Sequence, residues 1–462
     1  KAATTDMFLD ESGNVDQEKS LHSLLAVGVP GTVAGLALAL EKYGTISLGR
    51  AIQPAVELSE NGFPMDGALR SSLISVKSRM KTSPASMEIF FKNGGVPYEK
   101  GLIFKQKDLS WSLKQISKNG SDAFYKGAIA EMIVAFMKSD GGLITHEDLA
   151  SYKPVIRKPV HGKYRGYEIY SMPPPSSGGV HLLQMLNILE PYPIWNYGHN
   201  TAKAIHLMVE SMKMAYADRS KYLGDPDFVS VPVDGLISKS YAKELSKKIN
   251  HKKATPSKRI SPDNPNQYTE GSDTTHFSVI DKYGNAVSNT YTLNFSYGTK
   301  TMVPGTGILL NNEMDDFSSK PGVPNAYGLI GWEYNAIEPE KRMLSSMTPT
   351  IVLKDGEPFL VTGSPGGGRI ITTVLQILLN AIDFKMNIAS ATNAVRIHHQ
   401  WLPDQLVVEK GLNDDTIRIL KEMGQNVLVG NTIGSAQSVM KKGDFLYGAS
   451  DPRRPGSLTE GY

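Results

Sequence analysis

The 462-residue sequence contains no cysteine. That absence excludes disulfide cross-links, thiol catalysis, zinc–thiolate sites and iron–sulfur clusters. It leaves the compartment open, since cysteine-free chains suit cytosol and periplasm alike. A dominant charge is missing too: the formal net charge is +3 with both signs interspersed, so nothing argues for a nucleic-acid partner. Long apolar runs are also absent. The most hydrophobic stretches, AGLALAL (34–40) and VLQILL (374–379), fall far short of a membrane span. No signal peptide is visible, and the chain opens on KAATTDMFLD without an initiator methionine, which reads as a chain missing its true beginning.

What is present is ordinary for a soluble globular protein, with 40% hydrophobic and 21% charged residues. A chain of this length makes roughly two to four domains or one large α/β sandwich. Its core needs neither disulfides nor a structural metal. Helical spacing of apolar residues runs through GTVAGLALALEKYG (31–44), LGRAIQPAVELSENG (48–62), DLSWSLKQISKNG (108–120) and AIAEMIVAFMKSDGG (128–142), each closing on glycine. Alternation in VIRKPVHGKYRGYEIYSM (155–172) predicts two strands, which PPPSSGG (173–179) stops before an apolar helix. Residues 201–250 read as mostly helix. From 274 onward strands are expected at 275–281, 286–293, 307–312, 349–354 and 358–363. Helices follow at 369–383 and 388–396, then LVVE, a helix over 413–423, NVLVG, AQSVMKK and FLYGAS as a short α/β finish.

Several motifs carry chemistry. The polar segment SPDNPNQYTEGSD (261–273) turns abruptly into the strand TTHFSVI. Threonine favours strands, so Thr274 and Thr275 read equally as a plain strand start. A polar linker ending in Asp-Thr before a buried strand is also what a self-cleaving N-terminal nucleophile hydrolase needs. Cleavage before Thr274 frees an α-amine, with a pKa of about 8, beside the same residue's hydroxyl, where it can accept the proton. GSPGGGR (363–369) lacks the P-loop ending, and reads either as a nest of backbone N–H groups suited to an oxyanion or as a tight turn. LNNEMDDFS (310–318) gathers Glu313, Asp315 and Asp316 without EF-hand spacing. It suits a substrate ammonium, or is a solvated acidic turn. RMLSSMTPT (342–350) has no GxSxG elbow, so its serines supply hydrogen bonds rather than a nucleophile. In HHQWLPD (398–404) adjacent histidines point to different sides, which favours a structural role over a metal site.

Taken in order, TTHFSV, GNAVSNTYTLN, LNNEMDDFS, PNAYGL, RMLSSMTPTIV, GSPGGGRIITTV and HHQWLPD closely resemble the γ-glutamyltranspeptidase family. Upstream, PGTVAG, FYKG, GGLIT, YRGY, SMPPPSSGG, YADR and YLGDPDF resemble its large subunit, so the likeness spans essentially the whole chain. PGVPNAYGLIGWEYNAIEP (321–339) resembles the lid loop of the bacterial, periplasmic type.

The resemblance implies a layered α/β fold, the αββα four-layer sandwich of N-terminal nucleophile hydrolases. It implies self-cleavage between Asp273 and Thr274 into two associated polypeptides. These are a large-subunit portion, 1–273, ending in a mobile linker from about 251, and a small subunit, 274–462, intertwined as one structural domain. By the same resemblance Thr274 is the nucleophile, Thr292 bonds near the new terminus, and Asn294 faces the glutamyl head group. Glu313 and Asp316 take the α-ammonium, Ser345 and Ser346 the α-carboxylate, Gly366 and Gly367 the oxyanion, and Tyr327 screens the pocket.

Glutathione and other γ-glutamyl compounds are the implied donors, with water, amino acids or dipeptides as acceptors. No cofactor or metal is expected, and the implied location is periplasmic or secreted. A related amidase (a cephalosporin acylase or a poly-γ-glutamate processing enzyme) and an uncleaved, non-catalytic homologue stand as alternatives. Family members also carry, upstream of the KAATTDMFLD match, a glycine-rich strand region and an arginine that pairs with the α-carboxylate. Without them, an unpaired sheet edge is expected, and only the neutral donors of Ser345 and Ser346 for the carboxylate.

Overall fold

A computed structural model of the chain describes residues 1–92, 95–261 and 274–461. Asp273, expected at the cleavage site, lies outside the described residues. The chain forms two compact units, residues 1–156 with 293–315 and residues 157–292 with 316–462.

The first unit is mainly helical. Its principal helices are α1 (Thr32–Tyr43), α2 (Leu48–Asn61), α3 (Lys107–Asn119) and α4 (Ala128–Asp140). The Ser47 hydroxyl caps α2 by accepting from Arg50 N–H, and Gly62 ends it at φ 83°, a conformation that glycine adopts without steric cost. A capping box, Thr145 with Asp148, starts the short helix His146–Ser151. Ile129, Ile133 and Met137 of α4 pack with Phe124, Leu149, Val303 and Leu310. The segment 293–315 therefore belongs to this core, although it follows the sequence change at 274. Of the strand expected over 307–312, only Ile308–Leu309 forms, paired with Met302–Val303.

The second unit is built on one antiparallel sheet. In chain order the elements that position the site are β1 (Val160–Tyr164), β2 (Tyr167–Ser171), α5 (Gly178–Leu189), α6 (Ala202–Tyr222), β3 (Thr275–Ile280), β4 (Ala286–Tyr291), β5 (Thr350–Lys354), β6 (Glu357–Gly363), α7 (Arg369–Ile382), β7 (Gln437–Lys442) and β8 (Phe445–Ser450). Six of the strands lie in the order β8–β7–β6–β5–β2–β1, every neighbour antiparallel. FLYGAS is thus an edge strand of this sheet, and AQSVMKK pairs between it and β6. Ser438 and Met440 alternate inward along β7 and are buried in the sheet's pattern.

Helix α5 is largely apolar and buried along its whole length, and its polar side chains, His181, Gln184 and Asn187, are hydrogen-bonded. It packs on β1 and β2 and against α6 and α7. Gly178 and Gly179 permit that approach. A Cβ on Gly178 would sit 2.3 Å from Met347 O, and one on Gly179 2.5 Å from Met172 O.

The β3–β4 hairpin forms a second sheet that packs on β6 and β7. Its inward serines bond the larger sheet: Ser278 Oγ donates to Gln437 O at 2.9 Å and Ser288 Oγ to Thr362 O at 3.0 Å. On its outer face Phe277, Val279, Val287 and Tyr291 are each 43–48% exposed.

Candidate active site

Thr274 is the residue that enters β3, and it is 8% exposed. The hairpin register pairs Thr275 with Tyr291, which carries Thr292 opposite Thr274. Thr274 Oγ1 donates to Thr292 Oγ1 at 3.4 Å, and Thr274 O accepts from Arg454 Nη1 at 2.8 Å. The imidazole two residues on is no general base. Burial pushes the His276 pKa down to about 3, and both ring nitrogens are engaged, Nδ1 with Thr290 Oγ1 and Nε2 with Ser278 Oγ. The ring lies against Gly363, where a Cβ would meet Cε1 at 2.3 Å. That contact ties the strand entered at Thr274 to the strand end that leads into GSPGGGR. A polar cavity of about 360 Å³ opens beside Thr275, His276, Pro365 and Arg454, and Thr274 itself does not line it.

Past Gly363 the loop bends through Gly366 at φ 139° and Gly367 at φ 53° before α7. The carbonyls of Gly366 and Gly367 accept from Arg369 N–H and Ile370 N–H. Among the described residues, neither glycine's own N–H has an acceptor. Unpaired backbone donors in such a place are rare, and they suit transient negative charge. The ring of Tyr327 stacks against Gly367. Tyr327 is held through its carbonyl, which accepts from Gln400 Nε2 at 3.0 Å, and its N–H, which donates to Asn325 Oδ1 at 3.0 Å. Asn325 Nδ2 in turn donates to Asp316 Oδ1 at 3.4 Å. Burial raises the Asp316 pKa to about 7 against the opposing pull of Arg219, although part of the residue reaches solvent.

The serine pair is laced to the SMPPPSSGG segment. Ser345 O accepts from Ser177 N–H and from Ser177 Oγ, both at 2.8 Å, while Ser345 N–H donates to Pro175 O at 2.8 Å. Sequence reasoning passed over Arg219. Its Nε donates to Ser177 Oγ at 3.0 Å and its Nη2 to Ser346 Oγ at 3.1 Å. Tyr216, three residues earlier on the same face of α6, donates from its hydroxyl to Gly368 O. One helix therefore braces both the glycine loop and the serine loop. The available signal was the spacing of Tyr216 and Arg219 in YADR, read as a family motif and not as a face.

Asn294 and Glu313 belong to the first unit. Asn294, at φ 71°, donates from Nδ2 to Asn312 O at 2.9 Å, and Glu313 N–H donates to Asn311 Oδ1 at 3.0 Å at the start of a 3-10 turn. The histidines of HHQWLPD are buried and fully engaged. His398 bonds Thr372 Oγ1 and Gln400 Oε1, and His399 bonds Asp404 Oδ1 and Trp401 N–H. Among the described residues no group of His, Asp and Glu is arranged to hold a metal.

Residues 1–460 match the family described as Gamma-glutamyltranspeptidase. The chain belongs to this family. It is 55% identical to the glutathione hydrolase proenzyme of Escherichia coli K12 over 461 residues, covering all of this chain and 79% of that one. The crystal structure of Helicobacter pylori gamma-glutamyltranspeptidase matches with a TM-score of 0.56 at 49% identity, over 56% of this chain and 75% of that one. A cephalosporin acylase from Bacillus halodurans matches with a TM-score of 0.84 at 28% identity, over 96% of this chain and 80% of that one. The expected αββα architecture of the N-terminal nucleophile hydrolases is therefore the fold of this family member. No helix among its described residues is long and apolar enough to cross a membrane.

Proposed function

We propose that this protein is a γ-glutamyltranspeptidase and glutathione hydrolase that matures by cutting itself between Asp273 and Thr274. The observation that carries the reading is a family match over residues 1–460 in a chain whose Thr274 hydroxyl is bonded to Thr292. In maturation the Thr274 hydroxyl attacks the Asp273 carbonyl carbon, and the amide C–N bond breaks as an ester forms. Water then hydrolyses the ester, leaving a carboxylate on Asp273 and a free amine on Thr274. The products, 1–273 and 274–462, stay together as a heterodimer.

In turnover the free amine takes the proton of the Thr274 hydroxyl as Oγ1 attacks the γ-carbonyl of glutathione or another γ-glutamyl compound. The unpaired N–H groups of Gly366 and Gly367 are suited to the oxyanion that develops. The departing amine receives the proton, and a γ-glutamyl ester remains on Thr274. Attack by water then gives hydrolysis, and attack by an amino acid or dipeptide amine gives transpeptidation. Asp316 with Glu313 would take the α-ammonium, Ser345 and Ser346 the α-carboxylate, with Asn294 at the glutamyl head group and Tyr327 as the screen. An acid–serine pocket of this kind favours a zwitterionic donor over a glutaryl group, which argues against an acylase. A periplasmic or secreted location follows from the same reading.

The test is intact mass and γ-glutamyl-p-nitroanilide turnover on the full-length protein. Wild type should give two polypeptides and release p-nitroaniline, while Thr274→Ala should remain one inactive chain. Cleavage of Thr274→Ala at the same bond would overturn the assignment.

A further inference from the structure

Arg219 is 4% exposed, and burial disfavours its charge. Buried cations normally keep an anionic partner. Yet among the described residues no carboxylate lies within salt-bridge distance of it, and Asp316 acts on it only at longer range. Its bonds go to two hydroxyls, Ser177 Oγ and Ser346 Oγ. Each hydroxyl, accepting from the guanidinium, must send its own proton elsewhere. Ser177 donates to Ser345 O. The Ser346 hydroxyl proton has no acceptor among the described residues. A guanidinium polarising a hydroxyl whose proton is unclaimed makes that hydroxyl a strengthened donor toward an anion.

We propose that Arg219 is a positioning and specificity-determining residue that acts through Ser346 to recognise the α-carboxylate of the donor. This rests on the reading of Ser345 and Ser346 as the carboxylate site. The positive charge behind Ser346 and the carboxyl of Asp316 then form two poles, matched to the two charges of an amino-acid head group. Arg219 thereby selects donors that retain the carboxylate.

The experiment compares γ-glutamyl-p-nitroanilide with 4-aminobutyryl-p-nitroanilide, which keeps the ammonium and lacks the carboxylate, in cleaved wild type, Arg219→Lys, Arg219→Met and Ser346→Ala. Arg219→Met should lower kcat/KM for the γ-glutamyl donor about tenfold or more, chiefly through KM, and change the 4-aminobutyryl donor by less than about twofold. Arg219→Lys, which keeps the charge and helix packing, should fall between. Combined with Ser346→Ala, its loss should be much less than additive. If Arg219→Met fails to fold or cleave, Arg219→Lys and its double variant decide alone.

Equal losses on both donors, or additive losses with Ser346→Ala, would mean that Arg219 only packs the loop, and the proposal falls. If Ser346→Ala leaves the ratio between the two donors unchanged, the serine reading itself fails. If Ser346→Ala shifts the ratio and both Arg219 variants leave it alone, only the role of Arg219 is overturned.

Discussion

The ring of Tyr327 fills the space that a side chain on Gly367 would need: a Cβ there would meet Tyr327 Cδ1 at 2.5 Å and Cε1 at 2.7 Å. Gly367 also sits at φ 53°, where an L side chain costs about 1–2 kcal/mol. Gly367→Ala should therefore displace either the ring or the loop N–H. We expect kcat to drop about 100-fold or more, the scale of losing one oxyanion donor. Steady-state kinetics on γ-glutamyl-p-nitroanilide checks this, and kcat within a factor of three of wild type would show that the loop N–H is not used.

Thr292 accepts the Thr274 hydroxyl across a long bond, 3.4 Å. Thr292→Val keeps the shape and removes the acceptor. A neutral bond is worth about 0.5–1.5 kcal/mol, so self-cleavage should slow by roughly two- to tenfold without being abolished. Following the intact precursor by mass over time gives the rate directly. Complete arrest would assign Thr292 a larger part than one hydrogen bond.

Asp316 joins function to stability with opposite signs. Its pKa is raised to about 7 by burial, so the native state holds a proton that the unfolded chain has already released. Its stabilising contribution is complete below the unfolded value and is lost as pH rises through about 7. Asp316→Asn should therefore raise Tm relative to wild type by at least about 2 °C at pH 8, with little difference near pH 4. Asp316→Ala should lower kcat/KM at least about tenfold, since a bond to a charged group is worth roughly 1.5–3 kcal/mol. A Tm difference independent of pH would show that Asp316 is not buried as a carboxyl.

Asp404 works the other way. Burial alone would raise its pKa, but bonds from His399, Ser257 N–H and Ser257 Oγ hold it well below the usual carboxylate range. Its contribution is present above the unfolded value, near 4, and is lost only in strong acid. With Trp401 Nε1 donating to Ser257 O and Ile260 O, this cluster clamps residues 257–260, which fall within the linker expected from about 251. Asp404→Asn should cost about 1–3 kcal/mol at pH 7, and should speed amide hydrogen exchange at 257–260 more than elsewhere. Uniform exchange across the chain would argue against a local clamp.

Local chemistry made much of this protein readable in one dimension. Glycine-terminated helical periods, the alternation of 155–172 and the turn chemistry of PPPSSGG are set by residues near one another, so they survive without knowledge of the fold. Ordered motifs over the whole chain identified the family and with it the layered sandwich.

What stayed hidden depends on partners distant in sequence. Nothing local says that 293–315 joins the core of Ile129 and Ile133, or that AQSVMKK and FLYGAS become the last two strands at one side of the sheet holding Tyr167–Ser171. Both follow from where apolar faces find cover. Arg219 looked like one more helical charge. Only packing buries it with no carboxylate of the described residues in salt-bridge range and sets it behind Ser346, 127 positions away, because the energy of a charge is decided by the dielectric and dipoles around it, which tertiary structure alone supplies.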